Sequence, residues 1–242
     1  MKTVAIVQAR MTSTRLPGKV LLDLGGAPLL DRQVERLRRS HRLDQIMVAT
    51  TTNATDEPLV AACERLGLAC HRGSETDVLS RYVGAAEVSG ADVVVRITSD
   101  CPLIDAAIVD EVVVARAEAA VDYASNVFPR TFPRGLDTEV LTRAALEKCH
   151  AMGTSTPARE HVTWFLHSER PDLFTRVNVE TKESGADLRW TVDTPEDLEV
   201  VRRIWAGLEL STRHAAYADI LAWVRSHPEV ARLNAMIEQK KS

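Results

Sequence analysis

The stretch TVAIVQARMTSTRLPGK, residues 3–19, decides how the rest of the chain is read. Its opening run, Thr3–Val7, is β-branched or small and apolar at its centre, the composition of a strand buried on both faces of a parallel sheet. The segment that follows gathers three cations, Arg10, Arg15 and Lys19, and three hydroxyls, Thr12, Ser13 and Thr14. A loop at the carboxyl end of the first parallel strand is where open α/β sheets take their ligands. Guanidinium forks bind phosphoryl oxygens in pairs and a lysine adds a point charge, so this donor density suits a polyphosphate. Neither GxxxxGK[ST] nor GxGxxG occurs in the segment, which excludes the two standard glycine-rich phosphate fingerprints.

Outward from that loop, short β-branched runs alternate with stretches whose apolar residues recur every three or four positions. The pattern predicts strands at Thr3–Val7, Gln45–Thr51, Leu68–His71 and Asp92–Thr98, and helices at Leu29–Arg39, Glu57–Leu66, Asp77–Val88 and Ala107–Ala119. Thr55 or Asp56 and Thr76 or Asp77 supply start signals, and Gly67 and Gly90 supply stops. The expected fold is α/β: a doubly wound, mostly parallel sheet with helices on both faces.

After about residue 120 the rhythm changes. Asp122–Ser125, a Pro- and Arg-bearing stretch at Phe128–Gly135, strands at Leu136–Val140, Phe174–Val179 and Leu188–Thr191, and helices at Thr142–Met152 and Pro157–His167 are expected there. This portion, approximately 122–190, reads as an inserted lobe, or a cap that returns to the main sheet, within one domain spanning 1–242. From Pro195 to the end the pattern is helical, with breaks near Gly207 and at His227–Pro228.

At 242 residues the chain can bury roughly 70% of its unfolded surface, enough for a core without staples. Its net charge of −4 lacks the cationic excess by which general nucleic-acid binders displace counterions, so no nucleic-acid partner is expected. The N-terminal apolar run is too short for a signal-peptide core or a membrane span, and a cytoplasmic protein without membrane insertion is expected. Cys63, Cys70, Cys101 and Cys149 form no CxxC pair, so reduced, mostly buried thiols are predicted.

The loop also resembles a family. Arg10–Lys19 is similar to the ARxxSTRLPGK signature of cytidylyltransferases that activate acidic sugars, such as CMP-KDO synthetase and, more loosely, acylneuraminate cytidylyltransferase. The closest likeness is to the SpsF-type branch of spore-coat polysaccharide biosynthesis, which reads QARMxSTRLPGKVL here. Further matches run in order along residues 3–205: Gly73-Ser74-Glu75, Asp77–Tyr82, Arg96–Asp105, Asp122–Asn126, Phe132–Asp137, Arg159–Thr163 and Leu188–Asp197. Thr12 and Ser99 stand where many relatives carry glycine, and a larger residue there alters how closely phosphate approaches the backbone.

Asp100 follows the fourth strand, and Pro102 stops that strand from continuing. A carboxylate at that edge, facing a polyphosphate loop, suits Mg²⁺, which takes one or two carboxylates together with phosphate oxygens and water. Asp193 precedes the helix opening at Pro195, where its sequence also reads as a helix cap; the resemblance implies that it is a second metal ligand. The resemblance implies a reaction in which the sugar acid attacks the α-phosphorus of CTP and pyrophosphate leaves, so catalysis rests on positioning and charge neutralisation. Arg15, Lys19 and Asp100 are the catalytic candidates. Ala9, Arg10, Ser13, Thr50 and Ser74 join them as nucleotide-binding candidates, the last two as neighbours of the pyrimidine edge. Arg134, Glu139 and His161 are the sugar-binding candidates, and a homodimer is implied by the family alone. Asp105 and Asp197 read as cap and helix-face charges, Arg81 and Tyr82 as surface and half-buried residues, and Trp205 and Trp223 as packing anchors. Two rival readings are an inverting glycosyltransferase, for which the strand-end DxD is missing, and a catalytically silent nucleotide binder, which would not need Arg15, Lys19 and Asp100 together.

Overall fold

Alternate residues of the first strand, β1 (Thr3–Gln8), belong to opposite faces: Val4 and Ile6 enter one apolar cluster, Ala5 and Val7 the other. That two-residue period, apolar on both sides, places the strand inside a sheet covered by helices on each face. A computed structural model of the chain describes residues 1–238. The remaining strands are β2 (Gln45–Thr51), β3 (Ala69–Gly73), β4 (Val93–Thr98), β5 (Tyr123–Ser125), β6 (Glu139–Thr142) and β7 (Arg176–Asn178). They form one sheet in the order β3-β2-β1-β4-β6-β5-β7. The pairs β1–β2, β2–β3, β1–β4 and β5–β7 are parallel, and β6 runs antiparallel between β4 and β5.

The helices are α1 (Leu29–Leu37), α2 (Glu57–Leu66), α3 (Val78–Ser89), α4 (Ala106–Glu118), α5 (Arg143–Met152), α6 (Thr156–Glu160), α7 (Pro195–Gly207), α8 (Tyr217–Ser226) and α9 (Pro228–Arg232). Val34 of α1, Val109 of α4, Ile204 of α7 and Ile220 of α8 pack on the face carrying Ala5 and Val7. Leu79 and Tyr82 of α3 and Leu146 of α5 cover the other. Local chemistry sets the ends. The Asp77 carboxylate accepts from the Ser80 amide at 2.9 Å to start α3, and Gly67 and Gly90, both at φ +64°, close α2 and α3.

The chain winds from β1 to β3 in one direction and then returns to lay β4 on the other side of β1. Gln8 and Thr98 end these two strands as register partners, and the loops leaving them diverge. A crevice at the carboxyl ends of strands follows from that reversal. Tyr82 braces the junction, its hydroxyl donating to the carbonyls of Ile6 and Ile97, both at 3.1 Å.

The expected α/β architecture is present, with several local differences. Tyr82 is fully buried rather than half-buried, and Arg81 is buried rather than on the surface, because α3 lies against the sheet beneath the crevice. The strand expected at Leu136–Val140 begins at Glu139, where pairing with β4 starts. Leu188–Thr191 makes only a single bridge, Arg134 to Arg189; its backbone bonds to the Arg134 loop instead of to a ladder, and the Thr191 hydroxyl donates to the Asp100 carbonyl at 3.3 Å. The helix expected at Pro157–His167 breaks at Val162, whose φ of 53° is left-handed, and resumes as one wide turn at Phe165–Glu169. β5, β6 and β7 extend the main sheet, which accords with the alternative of a cap that returns to it. The C-terminal helical pattern ends at Arg232 among the described residues, and its expected continuation at 239–242 lies outside them. Cys63, Cys101 and Cys149 are buried free thiols and Cys70 is half-buried. No helix among the described residues is long and apolar enough to cross a membrane.

Gly135 decides how the second half meets the first. At φ +108°, it brings the Arg134 loop backbone to backbone with Trp190, and a Cβ there would lie 2.6 Å from the Trp190 carbonyl carbon. Arg134 then exchanges main-chain bonds with Leu188 at 3.1 Å and Trp190 at 2.7 Å. Gly135→Ala should therefore lower stability by roughly 2 kcal/mol or more, read as a fall in thermal midpoint. An unchanged midpoint would show that the two segments are not held this way.

Candidate active site

The cationic loop is pinned by two carboxylates that the sequence does not single out as anchors. Asp56 accepts the Met11 amide at 2.7 Å through one oxygen. Its other oxygen accepts the Thr50 hydroxyl at 2.9 Å and both the amide and hydroxyl of Thr51. Glu75 takes Arg10 at 3.2 Å, Thr12 at 3.0 Å and Asn53 at 2.7 Å. Within the loop, the Ser13 and Gly18 amides both donate to the Met11 carbonyl. Gly18, at φ +68°, then turns the chain into a short helical turn that begins at Lys19.

That turn delivers Lys19 to the centre of the crevice. Its ammonium donates to Asp193 Oδ1 at 2.8 Å, to the Val192 carbonyl at 2.8 Å and to Asp100 Oδ2 at 3.1 Å. Burial works against the Lys19 charge, but the Asp100 and Asp193 carboxylates outweigh it and raise its pKa. Burial would also raise Asp100; Lys19 and hydrogen bonds from Thr98, Lys19 and Cys101 hold that carboxyl down to about 2. Arg15 meets Asp193 Oδ2 at 2.9 Å. Arg189 meets the same oxygen at 2.8 Å while its other edge grips Asp197.

Two cavities, about 550 and 510 Å³, share Arg15, Asp100 and Asp193 as a common wall, so they are halves of one cleft. The first half is lined by Ala9, Arg10, Ser13, Lys19 and Arg81, and the second by Arg96, Cys101, Arg134, Gly135 and Asp137. His161 lies on both, and its ring is 6.1 Å from that of Trp164. The oxygens of Asp100 and Asp193 converge on one cation, the Lys19 ammonium. That donor set fits a divalent ion that completes its shell with phosphate oxygens and water. No group of three or more His, Cys, Asp or Glu residues among the described residues forms an all-protein metal cage.

Of the residues singled out from sequence, Ala9, Arg10, Ser13, Arg15, Lys19, Asp100, Asp193, Arg134 and His161 all line this cleft. Thr50, Ser74 and Glu139 do not. The Thr50 hydroxyl is buried on Asp56. Ser74 is exposed and turns its hydroxyl to the Asp77 amide at 3.0 Å. Glu139 is buried behind the cleft against Arg96, Tyr123 and Thr163. Asp193 does not cap α7; Thr194 and Asp197 do so as a capping box, with Asp197 fully buried. Asp105 caps α4 as expected and also accepts the Tyr217 amide at 2.7 Å. Trp205 is buried, whereas Trp223 is only partly so and stacks on His227.

Sequence reasoning missed Arg96, Thr98 and Arg189. Thr98 donates to Asp100 at 2.6 Å and so orients it. Arg189 stands four residues before Asp193, a spacing that could have hinted at their pairing. Arg96 points inward from a β-branched run, where only the alternation of strand faces could have marked it.

The reversal in strand order and the cation-lined cleft at its mouth define an α/β protein of the nucleotidyltransferase fold. Within that class the chain belongs to the cytidylyltransferase family, whose model matches residues 4–238. It is 36% identical over 242 residues to an uncharacterized protein of Methanocaldococcus jannaschii, covering 99% of this chain and 97% of that one. It is 34% identical to the spore coat polysaccharide biosynthesis protein SpsF of Bacillus subtilis, covering 83% and 85%. A solved cytidylyltransferase of Leptospira borgpetersenii superposes over the full length of both chains, with TM-score 0.89 and 30% identity. CMP:2-keto-3-deoxy-manno-octonic acid synthetase, solved in complex with CTP, shares the fold at TM-score 0.67 and 20% identity, over 86% of this chain and all of that one.

Asp56 offers a direct test of the loop's anchoring. Burial raises its pKa, but hydrogen bonds from Thr51, Met11 and Thr50 lower it overall. Its contribution to stability is therefore complete above the unfolded carboxyl's value of about 3.9 and is lost as the pH falls below it. Asp56→Ala should cost about 2–4 kcal/mol at neutral pH and flatten the acid side of the stability profile. Denaturant unfolding at pH 7 and pH 3 measures both; an unchanged acid slope would remove Asp56 as the anchor.

Proposed function

We propose that this chain transfers CMP from CTP to an acidic sugar, a nonulosonic or octulosonic acid-like compound, and releases pyrophosphate, for assembly of a surface polysaccharide or glycan. The observation that carries the reading is the meeting of Lys19, Arg15, Asp100 and Asp193 on the wall between the two halves of one cleft. Membership of the cytidylyltransferase family supports the nucleotide. The SpsF relative, a spore coat polysaccharide biosynthesis protein, supports the setting. Residues 122–190, within a single domain of 1–242, are proposed as the sugar-binding and dimerisation lobe of a cytoplasmic homodimer.

In this reading the triphosphate lies along the loop half. Ala9, Arg10 and Ser13 border it, and Arg15 and Lys19 hold the leaving pyrophosphate. As CTP enters, Lys19 would exchange its carboxylate partners for phosphate oxygens, leaving Asp100 and Asp193 as the residues that would hold Mg²⁺. The bound ion would neutralise phosphate charge and acidify the acceptor hydroxyl. An acceptor oxygen forms the new bond to the α-phosphorus while the bond to the bridging oxygen breaks, and that electron pair leaves with pyrophosphate. Arg134 and His161, in the second half of the cleft, hold the acceptor's carboxylate and hydroxyls. Catalysis then depends on in-line positioning and on cations placed beforehand where charge develops.

Pyrophosphate release with each of the four ribonucleoside triphosphates, Mg²⁺ and a panel of sugar acids, neutral sugars and sugar phosphates tests the assignment. Release should need CTP and one acidic sugar; release with a neutral sugar or a different triphosphate would overturn it. Lys19→Ala should weaken CTP binding about tenfold or more by calorimetry. Asp100→Ala should instead lower kcat about a hundredfold or more. Wild-type turnover by Asp100→Ala would remove the metal-holding role.

A further inference from the structure

The second half of the cleft has a cationic floor that the proposed function does not use. Arg96 rises from β4, with its side chain only 15% exposed, and lines both this half and an adjoining cavity of about 300 Å³. One terminal nitrogen donates to Glu139 Oε2, and Nε has neither a partner nor exposed surface. Glu139 is fully engaged: Oε1 accepts the Tyr123 hydroxyl at 2.6 Å and the Thr163 hydroxyl at 2.7 Å. The carboxylate therefore grips one edge of the guanidinium, and three strands and a loop hold that grip in place. A guanidinium has five donors, and a buried one left partly unsatisfied calls for an explanation.

Across the same cavity stands Arg134, which has no carboxylate within 4 Å among the described residues. Burial and the neighbouring Arg130 and Arg189 cations lower its pKa. Among the described residues the carboxylates lining this half are otherwise matched, Asp100 by Lys19, Asp137 by Arg130 and Asp193 by Arg15 and Arg189, and only the exposed Glu160 has no ion pair. An anion entering this half meets the unpaired Arg134 and the donors of Arg96 that Glu139 leaves free. A neutral acceptor would leave both in place, unsatisfied and dehydrated.

Resting on the reading of this half as the acceptor site, we propose that Arg96 is a specificity-determining residue that binds the acceptor's anionic group opposite Arg134, and that Glu139 is its positioning residue. The shared ligand chemistry is an oxyanion, either a carboxylate or a phosphoryl group. Arg96 presents a planar fork to it, and Glu139 fixes the plane of that fork.

The test uses the full chain labelled with ¹⁵N-arginine, saturated with CTP and kept free of divalent metal so that no turnover occurs. The probes are 3-deoxy-manno-octulosonate, inorganic phosphate and neutral mannose. The readout is the Arg96 Nε–H cross-peak, identified by its loss in Arg96→Lys. At least one anion should shift the peak and mannose should not. A response to octulosonate alone assigns a carboxylate, and a response to phosphate alone assigns a phosphoryl group. The double variant Arg96→Gln, Glu139→Gln removes a matched pair, so it should melt near the wild type and bind CTP within twofold. Its affinity for the responding anion should fall about tenfold or more. Unchanged anion affinity in the double variant, or a wild-type peak that neither anion moves, would overturn the proposal. The cross-peak decides the matter even if the variant does not fold. If the wild type fails to bind CTP, the proposed function falls, and the same titration without nucleotide still reads Arg96.

Discussion

The ammonium of Lys19, held between Asp100, Asp193 and the Val192 carbonyl, joins three parts of the chain that are far apart in sequence. The first is the loop after β1, the second the end of β4, and the third the segment leading into α7. A buried charge costs several kcal/mol to dehydrate and is tolerated only where partners surround it. Here two carboxylates and a carbonyl do so, while Thr98 and Arg189 hold those carboxylates from behind. Removing Lys19 would leave Asp100 without its cation, so this cluster is a structural tie as well as part of the cleft wall.

Everything around that tie serves to aim it. Asp56 and Glu75 secure the loop to the ends of β2 and β3 through main-chain amides and small hydroxyls. Tyr82 secures β1 to β4 just before they part. On the far side, Gly135 permits the backbone contact with Trp190 that places Arg134 and Asp193 on the same cleft. These anchors are buried or half-buried, and they connect the site to the sheet instead of leaving it on free loops, which is how a charged site keeps its geometry without a ligand.

The extension of the sheet by β6, β5 and β7 gives the second half of the cleft its character. Because β6 runs antiparallel to β4, Glu139 lies directly opposite Arg96 in register. Their pairing turns a residue expected to touch a sugar into one that supports a cation. Tyr123 and Thr163 complete that support from β5 and from the loop after α6. The result is a division of charge: a cationic loop whose lysine is held by Asp100 and Asp193 on one side, and an arginine fixed by Glu139 on the other.

Much of the molecule was legible in the sequence. The apolar strand centres, the three- and four-residue helical spacing and the glycine stops describe local preferences, and local preferences survive folding wherever tertiary contacts agree with them. The cation-rich loop after Thr3–Val7 was legible for the same reason, since its charges are consecutive. The partners of those charges were not. Thr50 and Ser74 have the right chemistry, but Asp56 and the Asp77 amide capture their hydroxyls. Leu188–Thr191 has strand composition, yet its backbone is bound by the Arg134 loop. Sequence by itself determined the α/β class, the position of the cation-rich loop and the carboxylate that follows β4. Only the tertiary structure decided that Lys19 closes on Asp100 and Asp193 and that Glu139 faces Arg96. Those choices depend on strand order and register, which bring together residues 43 to 174 positions apart, and no local pattern encodes that proximity.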